Sequence, residues 1–340
     1  MKEKKLLVLV LLLFIVFGML SLVGCSPAPT TTPTEPDTEA PDDTPAAPTV
    51  TRVNMGSGWV TGAYYPLAGG MSRVIHNNLD TIALTVESSG ASAVNSRMIG
   101  SGDLDMAIVQ NDVAFYAYNG EGAFDTPITN IRGMFILYPE PVQLVAAEGS
   151  GINSPADLAG KRVALGPLGS GAEVNALQVL EAAGLTEDDL AMAERLEAQE
   201  AADYLKDGRL DAAFYTVAVG ASVIADLAVM SDVYLVNIEG EFADNLIAAY
   251  PFYAKLTIEG DVYSGVAEAQ TVSILSMVVC REDLPEELVY EFTKTIFENL
   301  EDVHRAHSAG RFVTLESALD WMGIPIHPGA ERYFTEAGIM

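Results

Sequence analysis

Residues 51–340 alternate short apolar segments with amphipathic helical patterns. Arg52–Met55 and Ile82–Val86 have the length and apolar content of strands, and the residues between them form a helical pattern. Leu67, Met71 and Val74 lie on one face of that helix because they are four and three residues apart. Regular strand–helix alternation is typical of α/β proteins with mostly parallel sheets. We therefore expect an α/β fold, with enough chain for one large or two medium domains.

The order of these segments predicts two lobes joined by two crossing strands. Residues 51–147 and 271–340 form the first lobe in this interpretation, and residues 148–270 form the second lobe. The apolar run from Thr271 to Cys280 is long for one strand, and we interpret it as the return of the chain to the first lobe. Together with Val142–Ala147 it makes a two-strand hinge. Cys280 is then a buried small hydrophobic residue, with a reactive thiol as the alternative.

The N-terminus has the pattern of an export signal. Basic residues at positions 2, 4 and 5 precede an apolar run from Leu6 to Leu20, which is short for a membrane span. Leu22-Val23-Gly24-Cys25 follows and resembles a bacterial lipobox, which implies that residues 1–24 are removed and that Cys25 is acylated. Acyl chains would anchor the protein to the bilayer on its extracytoplasmic side, outer or periplasmic. The alternative is an ordinary signal peptide with an incidental cysteine.

Residues 25–50 have the composition of a flexible tether. The segment from Ser26 to Pro48 is rich in Pro, Thr and acidic residues and has almost no apolar side chains. Such a segment cannot bury a core, so we expect a disordered linker between the lipidated Cys25 and the folded lobes.

The charge of the chain excludes nucleic acid as a partner. The full sequence has a net charge of −29, and loss of the signal leaves 15 Lys and Arg residues against 46 Asp and Glu residues, a net charge of −31. A polyanion would be repelled.

Catalytic and cofactor motifs are missing from the sequence. The chain has no P-loop, no His-Glu-x-x-His and no Gly-x-Ser-x-Gly pattern. His304 and His307 are three residues apart, but no cysteine or acidic pattern completes a metal site. We therefore expect a non-enzyme without catalytic residues, metal or cofactor.

Four strand-to-helix turns carry small polar residues, at 56–62, 88–92, 110–112 and 166–171. Ligands of open α/β sheets bind beyond the carboxyl ends of the strands, and each helix start offers free backbone N–H groups to an anion. Trp59, Tyr64 and Tyr65 flank the first turn and are candidates for the wall of a small pocket. The alternative for each turn is that Gly and Ser only form tight turns and helix caps.

Several motifs, in order along residues 51–340, resemble those of the TAXI-type solute receptors of TRAP transporters. They are Thr61–Gly69 with its Gly-x-Tyr-Tyr-Pro turn, Ser89–Asn95, Gly102–Ala107 followed by Gln110-Asn111-Asp112, Asp157–Val163 followed by Gly169-Ser170-Gly171, Asp207–Ala212, and His327–Ala330. Ala91 departs from the pattern, because members often have glycine or another small residue ahead of the serine.

This resemblance implies a two-lobed, periplasmic-binding-protein-like receptor that closes over a small carboxylate-bearing solute and delivers it to TRAP membrane subunits. Known ligands of the family include glutamate, glutamine and 2-oxoglutarate, and we expect a monomer. The alternatives are an ABC-type solute-binding lipoprotein and an exported enzyme on the same fold. Carried over by motif, the ligand-binding residues are Thr61, Gly62, Tyr64, Tyr65, Ser89, Ser92, Asn95, Gln110, Asp112, Gly169, Ser170 and Gly171, with Tyr215 on the far wall.

Overall fold

The computed structural model describes residues 50–340. The predicted signal peptide, the lipidated Cys25 and the linker up to residue 49 lie outside these residues. The strands of the described part are β1 (Thr51–Gly56), β2 (Ile82–Glu87), β3 (Met106–Gln110), β4 (Ile131–Ala147), β5 (Arg162–Ala164), β6 (Met192–Glu194), β7 (Ala212–Thr216), β8 (Val233–Leu235), β9 (Ala254–Ile258) and β10 (Ala269–Arg281).

Helices connect these strands and cover the sheet. They are α1 (Tyr64–Asn78), α2 (Ser92–Ser101), α3 (Asn111–Asn119), α4 (Gly171–Ala182), α5 (Ala198–Lys206), α6 (Ser222–Met230), α7 (Gly240–Ala249), α8 (Glu286–Glu298), α9 (Leu300–Ala306) and α10 (Pro328–Glu336). Short 3₁₀ turns occupy Pro155–Leu158, Glu187–Asp189 and Ser308–Phe312. Within residues 50–340, no helix has the length and apolar character that a membrane crossing requires.

The sheet has the strand order β2-β1-β3-β10-β4-β7-β5-β6, with β8 beside β4 and β9 beside β10. The α/β prediction is confirmed, but the expectation of mostly parallel sheets is wrong. The outer strands pair in parallel, as β1 does with β2 and β3 and as β5 does with β6 and β7. The two long central strands run antiparallel to every neighbour, because each crosses from one half of the sheet to the other against the direction of the βα units.

The strand β4 is longer than the sequence predicts. The sequence predicts separate strands at Ile131–Leu137 and Val142–Ala147. Pro139 and Pro141 lie between them, and prolines are rare inside sheets. The structure has one continuous strand whose first part pairs with β10 and whose last part pairs with β7. The pairing with β10 shows a register irregularity between Leu275, which lies opposite Pro139, and Met277, which lies opposite Ile136. The irregularity therefore begins at the first of the two prolines.

The strand β10 is a single long strand that runs through both halves of the sheet. Its first part pairs with β9 and its last part pairs with β3. The lobe boundaries at residues 147 and 270 stay predictions. Cys280, near the end of this strand, is wholly buried and free, as expected for a small hydrophobic residue, and burial raises the pKa of its thiol.

Separate hydrophobic cores support the two lobes. One core packs α1 and α8 onto the β1 side of the sheet and includes Leu67, Met71 and Phe292. Another packs α4 onto the β5 and β7 side and includes Val163 and Val179. Because each lobe has its own core, the lobes keep their shape while the strands between them determine their relative position.

Candidate functional site

A partly open cavity lies where the two lobes meet. Its volume is about 30 Å³, which is room for only a few water molecules. A larger solute therefore requires the lobes to part or side chains to move. The lining residues are Gly58, Trp59, Gly62, Ala63, Tyr64, Ala91, Ser92, Gln110, Tyr138, Glu140, Gly171, Ala172, Thr216 and Val217.

Glu140 is the charged side chain of this lining. It lies on the crossing strand β4 and is only 3% exposed. The hydroxyl of Tyr64 donates a hydrogen bond to one carboxylate oxygen at 2.8 Å, and the hydroxyl of Tyr138 donates to the other at 2.7 Å. Each oxygen thus has one fixed donor and keeps further acceptor capacity.

The local backbone explains why these three side chains meet. Tyr138 and Glu140 are two residues apart in a strand, so their side chains leave the same face of the sheet. Tyr64 is the first residue of α1 and packs edge-on against Tyr138, with ring centroids 6.4 Å apart. The two rings form an apolar wall and supply the hydroxyls that orient the carboxylate.

Burial changes the titration of all three groups. It raises the pKa of Glu140 from 4.5 to about 7, although hydrogen bonds from Tyr138, Tyr64 and Gln110 oppose the shift. It also raises the pKa of the Tyr64 and Tyr138 hydroxyls, with further raising by the Glu140 charge. No lysine or arginine of residues 50–340 lines the cavity, so its electrostatic character is acidic.

The start of α4 brings backbone donors to the opposite side of the cavity. Ser170 is the N-cap, and its hydroxyl accepts a hydrogen bond from the Glu173 N–H at 3.1 Å. The Glu173 carboxylate in turn accepts from the Gly169 N–H at 2.6 Å and pairs with Arg195. Within the described chain, the N–H groups of Gly171 and Ala172 have no hydrogen-bond acceptor, and both residues line the cavity. They are the donors that α4 leaves available.

The start of α1 reaches the same cavity from the first lobe. Ala63 and Tyr64 line it, and Ala63 is the residue before the helix. Pro66 in the first turn has no N–H to leave unsatisfied. Two helix starts from different lobes, each with about half a positive charge, therefore lie around one cavity.

The other two polar turns have different partners. At the start of α2, the N–H groups of Ala93 and Val94 donate to the Gly169 carbonyl of the second lobe, at 3.1 and 3.3 Å. These donors join the lobes and are not free for an anion. Ala91 before this helix has a φ of 65°, a backbone region that favours glycine.

Asp112 belongs to a buried polar network between the lobes. Its carboxylate accepts from the Asn175 amide at 2.9 Å, and that amide also donates to the Tyr253 hydroxyl at 2.9 Å. Asp112 lies in the first turn of its helix and is not the N-cap, because Gln110 is the cap and α3 begins at Asn111. Burial raises the pKa of Asp112 from 3.8 to about 6.

The structure brings only some of the predicted ligand-binding residues to the cavity. The cavity-lining members of that set are Gly62, Tyr64, Ser92, Gln110 and Gly171. Thr61 and Tyr65 are exposed beside it. The Ser89 hydroxyl donates to the Ser57 carbonyl, and Asn95 is a buried brace between the Ser57 and Ile108 carbonyls.

Four further members of the predicted set lie close to the cavity without lining it. Gly169 and Ser170 shape the turn before α4, and Asp112 joins the lobes. Tyr215 lines a smaller adjoining cavity with Trp59 and Leu196, and its buried hydroxyl has no partner in the described chain.

Sequence reasoning missed Glu140, Tyr138 and Thr216. All three line the cavity and are buried. The available signal was a single acid between two prolines in an otherwise apolar run, Tyr138-Pro139-Glu140-Pro141. A buried strand rarely carries a carboxylate without a purpose. Within residues 50–340, no group of three or more His, Cys, Asp or Glu side chains is placed to hold a metal ion.

Two lobes on a mixed sheet, joined by two long strands beside a cavity that both lobes line, define the two-lobed periplasmic-binding-protein-like fold. The chain belongs to the NMT1-like family, whose model matches residues 55–338.

Solved structures resemble the whole folded part of the chain. A Xanthomonas citri protein bound to ATP has 12% sequence identity and a TM-score of 0.51, with 85% of this chain and 96% of that one covered. A Bordetella bronchiseptica protein has 12% identity and a TM-score of 0.51, with coverages of 84% and 88%. The alkanesulfonate-binding protein SsuA from Xanthomonas axonopodis pv. citri, bound to MOPS, has 16% identity and a TM-score of 0.48, with 85% of each chain covered. At these identities the likeness to the first two structures shows the fold alone.

Proposed function

We propose that this protein is an extracytoplasmic, lipid-anchored receptor that captures a small carboxylate-bearing solute and delivers it to a membrane transporter. The observation that carries the proposal is the cavity lined from both lobes. A ligand that contacts both lobes favours their closed arrangement over the open one, which is the mechanism of capture.

Backbone donors support a carboxylate on the solute. The free N–H groups of Gly171 and Ala172 lie at the start of a 12-residue helix, and such a position favours an anion. Gln110 and Thr216 add buried side-chain oxygens without partners in the described chain. Unpaired buried polar atoms are costly, so their position on the cavity wall indicates a polar ligand.

The proposal excludes catalysis at this site. Its polar groups are one carboxylate, two tyrosines, an amide and hydroxyls, and the histidines are elsewhere, with His327 buried against the Leu284 carbonyl. We expect a solute recovered from the protein to be chemically unchanged, and turnover of a bound solute would contradict the receptor proposal.

Thermal unfolding in the presence of candidate solutes tests the receptor proposal. At about 100 times Kd, ligand binding adds about 2.7 kcal/mol to the free energy of unfolding. For a folded part of this size, that corresponds to a rise in Tm of roughly 5 °C or more. A panel of amino acids, 2-oxo acids and dicarboxylates that produces no shift would contradict the carboxylate assignment. Mass spectrometry of solute that co-purifies with the protein identifies the ligand directly.

The transporter we propose is of the TRAP type, on the resemblance of the motifs given above. An ABC transporter is the second candidate, because the same fold serves both. Genes for TRAP membrane subunits beside this gene support the first, and a gene for an ATPase component supports the second.

A further inference from the structure

We propose that Glu140 and Gln110 hold a protonated amino group of the solute, so that the receptor selects zwitterionic α-amino acids over 2-oxo acids of the same skeleton. This inference rests on the proposed function and names the solute class within it.

The side chains at this end of the cavity offer acceptors. Both Glu140 oxygens accept a hydrogen bond from a tyrosine hydroxyl, and each carboxylate oxygen has a further lone pair for a second donor. The Gln110 Oε1 atom is buried without a donor in the described chain, on a residue that is 2% exposed. An ammonium group has three donors and no acceptor, and it matches this set. A 2-oxo group has only an acceptor oxygen, so it has no hydrogen to donate to these oxygens.

The charge balance of the cavity favours the same group. Glu140 has no basic partner among the residues of the lining, and the nearby Asp112 raises its pKa further. A buried carboxylate without a cation is unfavourable, and a cationic partner offsets much of that cost. The solute itself is then the cation that the protein lacks.

The acceptors and the backbone donors are close enough for one amino acid to contact both. A Cβ atom placed on Gly171 would lie 1.8 Å from Gln110 Oε1, so the amide of the first lobe almost touches the start of α4 in the second. In an α-amino acid, the ammonium and the carboxylate are attached to one carbon. The ammonium can lie between Glu140 and Gln110 while the carboxylate reaches the N–H groups of Gly171 and Ala172.

Matched pairs of solutes test this inference on the wild-type protein. We would measure Kd by calorimetry for L-glutamate against 2-oxoglutarate and for L-alanine against pyruvate. We expect the amino acid of any pair that binds to bind at least tenfold more tightly, since charged hydrogen bonds are the strong ones. An oxo acid that binds equally or more tightly overturns the inference and leaves the receptor proposal standing. Binding by none of these solutes or of a wider panel of amino and oxo acids overturns both.

The variant Glu140→Gln tests the residue itself. It keeps the shape and removes the charge, so the amino acid of the pair should bind at least tenfold more weakly while the oxo acid keeps or gains affinity. Glu148→Gln is the matched control, because Glu148 is exposed and outside the cavity. Unchanged amino acid affinity in Glu140→Gln overturns the inference. If this variant does not fold, the comparison of solute pairs on the wild-type protein decides the question.

Discussion

Asp112 shows how a single buried side chain links pH to stability. It is 1% exposed and accepts one hydrogen bond from Asn175. Burial raises its pKa from 3.8 to about 6, so the folded protein binds the proton more tightly than the unfolded chain does. The stabilisation is therefore fully present below about pH 4 and is lost as the pH rises through 6. The loss is on the order of 3 kcal/mol.

The variant Asp112→Asn should remove this dependence. We expect the variant to gain stability relative to the wild type as the pH rises from 4 to 7, measured as the free energy of unfolding in urea at each pH. Asp226→Asn is the control, since Asp226 is exposed on α6, and its profile should follow the wild type. Parallel pH profiles for Asp112→Asn and the wild type would show that the buried carboxylate does not titrate in this range.

Ala91 illustrates a backbone constraint at the same scale. Its φ of 65° allows the chain to turn into α2 beside the cavity. Residues with a Cβ atom adopt this region only with strain, so glycine is the residue that would relieve it at this position.

At the scale of the elements, helix α4 depends on its cap. The Ser170 hydroxyl is wholly buried and accepts from the Glu173 N–H, so Ser170→Ala leaves that N–H without an acceptor. We expect a loss of about 1 kcal/mol in the free energy of unfolding, measured by urea denaturation. Ser308→Ala, at an exposed serine, should change stability by less than about 0.5 kcal/mol. Equal effects of the two substitutions would contradict a stabilising cap at Ser170.

The strand β4 has a separate role as an element. It pairs with β10 before Val142 and with β7 after it, and it carries Tyr138 and Glu140 at the transition between the two. Glu140 lies beside Val142, where the pairing partner of β4 changes. A change in the angle between the lobes would therefore also move the Glu140 side chain. The element that joins the lobes thus carries part of the site.

At the scale of the whole molecule, closure depends on a glycine. Gly171 of the second lobe faces Gln110 of the first, and an added Cβ would lie 1.8 Å from Gln110 Oε1. Gly171→Ala should therefore hold the lobes apart and weaken solute binding about ten- to a hundredfold, as expected for overpacking by 1–3 kcal/mol. Calorimetry gives the affinity, and small-angle X-ray scattering should show a larger radius of gyration in the presence of solute.

Gly69→Ala is the matched control for this test. On α1, the nearest atom to its added Cβ is Arg73 Nη1 at 3.8 Å, so the methyl group has room. It should leave binding unchanged and stabilise the helix by roughly 0.5–1 kcal/mol. If Gly171→Ala binds solute as tightly as Gly69→Ala does, the lobes do not close through this contact.

Much of the fold could be predicted because its signals are local. Two such patterns are the apolar face of α1 and the Ser154 cap followed by a proline at the first position of the 3₁₀ turn Pro155–Leu158, and the structure has both. The strand β10 was predictable as one unit because no proline or glycine interrupts its largely apolar run. The strand β4 was not, because two prolines hide a continuous strand whose pairing is stabilised by distant residues.

The sequence by itself determined the α/β class, the burial of Cys280 and which turns carry small polar residues, since composition and short-range spacing control these features. Only the tertiary structure decided which turns reach the cavity. The N–H groups at the start of α2 donate to the carbonyl of Gly169, which is distant in sequence. The N–H groups of Gly171 and Ala172 stay free. It also decided that Glu140 meets Tyr64, because a hydrogen bond between residues 76 positions apart depends on how α1 packs against β4 within the first lobe and leaves no periodic signal in the chain.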